Sequence, residues 1–231
     1  MQTIYELKSA QTLETMARLR ARGIRKMAVI LRHSQRNFSE NAAHEPFMGL
    51  TQEGRNFAFE MGRGLPRDLR PRLFSSFFGR CIETAYLMDK GFTRENGILL
   101  DHNITEELLA PFYITDIERA VTRVQELGTR DFIRHWFNGN IDESIVINPR
   151  TTADQVAGHM VRHLESLGEN ETAVCVSHDW NIFPIKEFIL GLRHEEVGDV
   201  GYLEGVFFFE DQGKTFLTCA DADPVLLKPS S

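Results

Sequence analysis

One stretch decides how this chain is read: MAVILRHSQR, residues 27–36. Its first five residues, 27–31, are apolar without alternation and include branched side chains, the pattern of a strand buried on both faces by helices. The polar side chains begin abruptly at Arg32, His33 and Arg36. In open α/β sheets, ligands gather beyond the carboxyl ends of the strands. The stretch therefore predicts a fold class together with the end of the sheet where chemistry is placed.

Other segments repeat the pattern. TAVCVS at 172–177 reads as a second fully apolar strand, delivering His178 and Asp179 before a helix over 180–190. A third strand at 72–76 leads to Arg80 at the start of a helix over 79–90, closed by Gly91. GILL at 97–100 is a fourth candidate strand. Amphipathic spacing predicts helices over 9–22, ended by Gly23, and over 52–63, capped by Thr51 with Phe57, Ala58 and Met61 inward. Further helices are read at 116–127, 129–138 and 151–167. After Gly201, YLEGVFFFEDQGKTFLTCA reads as a hairpin turning at Asp211-Gln212-Gly213, with Phe207, Phe209 and Leu217 on one side. Residues 207–209 are expected to form a buried edge strand, and 37–50 either a wall on the substrate side or a plain connection. Strands alternating with helices give an α/β fold: a three-layer α/β/α sandwich, its central sheet mostly parallel and finished by an antiparallel edge hairpin. No repeat or linker divides residues 1–231, so a single domain is expected, with a lead-in helix inside 1–25.

Composition excludes other classes. With 42% hydrophobic and 26% charged residues and 8 Pro, the chain is neither fibrous nor disordered. Lys and Arg number 26 against 33 Asp and Glu, a formal charge of −7, so neither nucleic acid nor a membrane surface is an expected partner. Only six of the cations are Lys, and the rest are Arg, whose planar fork matches phosphate. Cys81, Cys175 and Cys219 are odd in number and lack CxxC spacing, which predicts buried free thiols. The opening MQTIYELKSA has no basic-then-apolar signal, and a cytoplasmic location is expected.

The three strand ends collect Arg32, Arg36, Arg80, His33 and His178, with Asp179, Glu106 and Glu107 as available acids. This is an anion site. Guanidiniums can hold the nonbridging oxygens of a phosphoryl group and stabilise the charge that spreads over them during transfer. A neutral imidazole, its other nitrogen tied to a backbone carbonyl, can then attack phosphorus. The arginines supply the positive field, so neither a metal nor any other cofactor is called for. His159 and His163 are spaced i,i+4 on one helix. Without an adjacent Glu or an evident third ligand, they are expected to form a solvated face.

Four motifs carry a resemblance. LRHSQR is similar to the RHG-type signature of the histidine phosphatase superfamily, which includes phosphoglycerate mutases and acid phosphatases. LTQEGRNFAFEMG resembles its L-T-x-x-G-x-x-x-A-x-x-x-G helix at Leu50, Thr51, Gly54, Ala58 and Gly62. SSFFGRCIETA resembles its S-S-x-x-x-R-x-x-x-T-A segment, and VSHDWNI its late H-D-x-N-I motif. The resemblance spans about residues 27–182 and implies a phosphoglycerate mutase-like fold. It also implies His33 as nucleophile, with Arg32, Arg36, Arg80 and His178 as the phosphate pocket. It leaves a choice of proton donor: Asp179, as in the branch with H-D, is favoured over Glu107 or Glu106. The neighbouring Trp180 would give Asp179 an apolar environment. Ser34 stands where the family has Gly, a position at which a positive φ would strain a serine.

The activity implied is metal-independent hydrolysis of phosphomonoesters through a phosphohistidine, on a phosphorylated small molecule or a phosphoprotein. A mutase-like phosphotransferase and a catalytically silent phosphate-binding protein are the alternatives. The substrate and the oligomeric state are not legible.

Overall fold

Side chains alternating between two faces of one sheet build the molecule's two cores. The computed structural model describes residues 4–101 and 103–227, with backbone alone at 4–7 and 42; the first three residues of the expected lead-in segment lie outside the described residues. In chain order the elements are α1 (Ile4–Ala21), β1 (Met27–Arg32), α2 (Gln52–Arg63), β2 (Arg70–Ser75), α3 (Gly79–Asn96) and β3 (Ile104–Thr105). They continue as α4 (Ile117–Leu127), α5 (Thr129–Phe137), α6 (Pro149–Ser166), β4 (Glu171–Ser177), α7 (Asp179–Phe188), α8 (His194–Val197), β5 (Gly205–Asp211), β6 (Lys214–Cys219) and β7 (Ala222–Leu226). The sheet runs β3-β2-β4-β1-β5-β6-β7, with the first four strands parallel and the last three antiparallel.

On β1, Ala28 and Ile30 enter one core, with Ala173 and Cys175 of β4 and residues of α5, α6 and α7. Met27, Val29 and Leu31 enter the other, with Val174 and Val176 and residues of α1, α2 and α3. The unbroken apolar run thus serves two helical layers, each fully buried Met, Val, Ile or Leu side chain contributing on the order of 1.5–3 kcal/mol.

The antiparallel portion differs from a two-stranded edge hairpin. A third strand, β7, closes it, and β5 lies inside the sheet between β1 and β6. Phe207, Phe208 and Phe209 are all fully buried because both faces of β5 are covered. Leu217 pairs with Phe208 and shares its face, whereas Phe207 and Phe209 point into the other core. The turn itself is as read: Gln212 and Gly213 have φ of 50° and 71°, as a two-residue turn between twisted strands requires.

Residues 97–100 are not a strand. Gly91 does not end α3, which continues to Asn96, and the short parallel edge pairing falls instead on β3. Gly91 belongs in the helix because its missing side chain lets α2 and α3 touch: a Cβ there would stand 2.0 Å from the Phe59 carbonyl oxygen. Gly62 faces Met88 O at 2.1 Å in the same sense, and a Cβ on Gly54 would stand 2.0 Å from Gln35 O in the loop after β1. Gly54, Ala58 and Gly62 therefore form the smooth stripe on which the His33 loop and α3 rest. Gly54→Ala is expected to cost about 1–3 kcal/mol, since the clash is with backbone. A thermal melt checks this, the midpoint falling roughly 2–4 °C per kcal/mol in a chain of this size.

Candidate active site

Three strand ends deliver the cluster. After β1, the His33 N–H donates to Ser177 O at 3.0 Å, while Arg32 N–H donates to Glu204 O at 3.1 Å. After β2, the Ser76 N–H donates to Val176 O at 2.9 Å and α3 begins, with Arg80 as its second residue. After β4, His178 takes the N-cap position of α7 and Asp179 opens the helix.

Arg80 joins the two histidines. Its Nε–H donates to His33 Nε2 at 3.1 Å, and Nη2 lies 3.3 Å from His178 Nδ1. A guanidinium can only donate, so both ring nitrogens facing it carry lone pairs. The remaining nitrogens then hold the protons: His33 Nδ1–H donates to Ser34 O at 2.7 Å and His178 Nε2–H to Ser76 Oγ at 3.0 Å. Burial pushes both imidazoles well below the ordinary histidine range; at His33 the neighbouring His178 ring and then the charges of Arg80 and Arg32 add to it, and at His178 the charges of Arg80, Arg32 and Arg36 do so. Both are neutral at physiological pH. Beneath them burial pushes the Cys81 thiol up to about 12, so it stays protonated.

Ser34 is not strained: among the described residues it does not share the positive φ of Asn170, Leu203 and Gln212. Its N–H donates to Thr84 Oγ1 at 3.1 Å and its hydroxyl to Gly54 O at 2.7 Å, fastening the loop to both neighbouring helices.

Arg32 donates to Val200 O at 2.6 Å, pairs with Asp179 Oδ2 at 3.0 Å, and lies 4.3 Å over the Tyr202 ring, which is 5.8 Å from His33. Arg36 turns toward the 3-10 turn at Ala42–Phe47 and pairs with the Glu45 carboxylate. Arg80 Nη1 also donates to Glu45 O at 2.8 Å. The 37–50 segment is thus docked on two arginines, and Glu45 and Tyr202 join the cluster without having been read from the sequence. Glu45 lies in a loop without periodicity and Tyr202 in the turn before β5, so neither carried a signal.

The acids divide. Asp179 stays in the cluster, its carboxylate also accepting from the Trp180 N–H at 2.9 Å, with a side chain 28% exposed. The Trp180 ring stacks on Phe132 instead of covering Asp179, so the carboxylate's charged neighbour is Arg32. Glu107 is exposed at the start of the turn Glu107–Leu109 and makes no ion pair among the described residues. Glu106 is drawn elsewhere. His159 and His163 are not a solvated face: both are buried, and each places Nε2 at 2.8 Å from Glu106 Oε2. Partial burial raises the proton affinity of Glu106, but the bonds from the two imidazoles outweigh it and hold the carboxyl at about 2. The third partner that the helix spacing lacked comes from a distant segment.

Comparison with known proteins adds the fold. No family model matches the chain, and no curated protein matches it in sequence. Solved structures do. Phosphoglycerate mutase from Bacillus anthracis is similar over 86% of this chain and 94% of its own, at 16% identity and a TM-score of 0.56. A mycobacterial glucosyl-3-phosphoglycerate phosphatase is similar over 85% of this chain and 99% of its own, at 15% identity and TM-score 0.53. A phosphoserine phosphatase mutant from Entamoeba histolytica, solved with phosphoserine, is similar over 84% and 95%, at 17% identity and TM-score 0.51. These neighbours belong to the histidine phosphatase superfamily, and the chain has their phosphoglycerate mutase-like fold. Among the described residues no helix is long and apolar enough to cross a membrane.

Proposed function

We propose that the chain is a metal-independent phosphatase of the acid phosphatase type, hydrolysing phosphomonoesters through a phosphohistidine on His33. One observation carries this reading: a single buried guanidinium touches His33 Nε2 and His178 Nδ1, and the charges of Arg32 and Arg36 also reach His178. A phosphoryl group entering there draws Arg80 onto its oxygens and frees the His33 lone pair. Glu45, now on Arg36, gives way to the more highly charged phosphate.

In the first step His33 Nε2 bonds to phosphorus and the bond to the leaving oxygen breaks. The imidazole keeps its Nδ1 proton on Ser34 O, which spreads the positive charge formed. As Arg32 turns onto the phosphate, Asp179 takes the proton of the entering phosphate monoanion and passes it to the leaving oxygen, with Glu107 as the competing donor. Water then attacks the phosphohistidine, gives a proton to the same carboxylate, and releases inorganic phosphate. The guanidiniums stabilise the charge on the equatorial oxygens throughout. Hydrolysis is preferred to transfer onto a second hydroxyl because the wall at 37–50 contributes an acid, Glu45, and not the basic cover a second phosphorylated substrate would need. Substrates are phosphorylated small molecules or phosphoproteins, which share the terminal group held here.

Cleavage of p-nitrophenyl phosphate should proceed undiminished in chelator; loss of the rate while the chain stays folded by circular dichroism would overturn the metal-independent mechanism. Asp179→Asn and Glu107→Gln identify the donor. The true donor's variant should slow alkyl phosphates by about 10²–10⁴ while barely affecting aryl phosphates with good leaving groups. An equal loss on both in the Asp179 variant would remove it from this role.

A further inference from the structure

We infer that Glu106, His159 and His163 form a divalent-metal site, best suited to zinc, that clips the β3 edge of the sheet to α6. The inference stands apart from the phosphatase reading and does not depend on it. It begins with geometry. His159 and His163 are one helical turn apart on α6 and meet edge to face, ring centroids 4.7 Å apart. Both aim Nε2 at the same carboxylate oxygen, and the three ligand atoms lie within 4.8 Å of one another.

A tetrahedral zinc ion bonds imidazole nitrogen at about 2.0–2.1 Å and carboxylate oxygen at about 2.0–2.2 Å, which sets neighbouring ligand atoms roughly 3.4 Å apart. Widening the two 2.8 Å contacts by roughly half an ångström therefore makes room for the ion. The rings are held for this. His163 packs on Phe74 with centroids 4.2 Å apart, and both histidines are buried. Glu106 is anchored by its N–H donating to Ser75 O at 2.9 Å, while its side chain remains 23% exposed. That opening gives the ion an entry path and a place for a water as fourth ligand.

The ligand set, two neutral imidazoles and one carboxylate, suits zinc better than the oxygen-seeking magnesium or calcium. One neighbour opposes it. Arg162 Nη2 lies 3.4 Å from His159 Nδ1, and a metal on Nε2 would put the ring proton on Nδ1, facing that donor. Arg162 is exposed and free to withdraw, so its removal should tighten binding.

The site does not touch the three arginines. It fixes the residue before the Glu107–Leu109 turn, whose Leu109 carbonyl accepts from Ser177 Oγ at 2.7 Å, next to His178. The metal's role is therefore structural: it ties together the edge of the sheet that supports the end of β4.

The test uses the full chain, stripped with chelator and dialysed, titrated with zinc by calorimetry and with cobalt(II) by visible absorption. One equivalent should bind, with tetrahedral cobalt bands and a raised melting midpoint. Glu106→Gln and His163→Asn should each weaken zinc binding at least about tenfold, and Arg162→Gln should strengthen it. Ring-nitrogen NMR shifts of His159 and His163 in the native chain give a readout needing no variant. If zinc leaves those resonances unmoved, or binds as well to the Glu106→Gln/His163→Asn double variant, the three residues are only a hydrogen-bonded triad and the inference falls.

Discussion

Replacing His33 by alanine should lower turnover of p-nitrophenyl phosphate by about four orders of magnitude or more, because loss of a covalent nucleophile removes the whole pathway and not one stabilising contact. The variant should still bind phosphate, since Arg32, Arg36 and Arg80 remain and Arg80 is released from His33 Nε2. A normal KM-like affinity with vanishing kcat is thus the expected signature; retained turnover would remove His33 from the mechanism. The pH behaviour follows from the same environment. His33 and His178 are held well below their usual proton affinity by burial and by the surrounding arginines, so the nucleophile stays unprotonated below the usual imidazole value of about 6.5. Stability runs the other way. The unfolded chain takes up protons at these positions near pH 6.5 and the folded chain does not, so their contribution is fully present above about pH 6.5 and is lost as pH falls toward the depressed folded values. His33→Ala should therefore flatten the acid side of the stability curve while abolishing activity, which denaturant titrations between about pH 5 and 7 would check.

Arg80→Lys is expected to be nearly as damaging as Arg80→Ala, with kcat reduced by about 10²–10³. A lysine carries one charge on one nitrogen. It cannot reach His33 Nε2, His178 Nδ1 and Glu45 O together, as the guanidinium does with three separate nitrogens. Removing the fork also leaves two buried ring lone pairs without their donor, so the lysine variant should lose orthovanadate affinity along with turnover. Retention of near-normal kcat in Arg80→Lys would show that simple positive charge suffices and that the bridge is incidental.

The parts of this account legible in the sequence are those set by local pattern. Apolar runs at 27–31 and 172–177 marked the central strands because both faces of the sheet are covered there. The residues immediately after them fell into one cluster because parallel strands end on one side. What escaped the sequence depends on contacts between distant segments. Gly91 reads as a helix stop, but close approach to Phe59 keeps it inside α3. The strand β3 has two exposed residues and no periodicity, whereas GILL has apolar composition with Leu99 78% exposed. Glu45 and Glu106 lie in segments without a helical or strand pattern, and only the folded chain brings the first to Arg36 and the second to His159 and His163.

The most direct test of the central claim is rapid quenching of the enzyme during turnover, followed by mapping of the phosphorylated peptide by mass spectrometry. The account predicts an acid-labile, alkali-stable phosphoryl group on the imidazole of His33, formed at full rate in chelator and absent from His33→Ala. Phosphate on any other residue, or turnover without a phosphoenzyme under conditions that trap one, would contradict it.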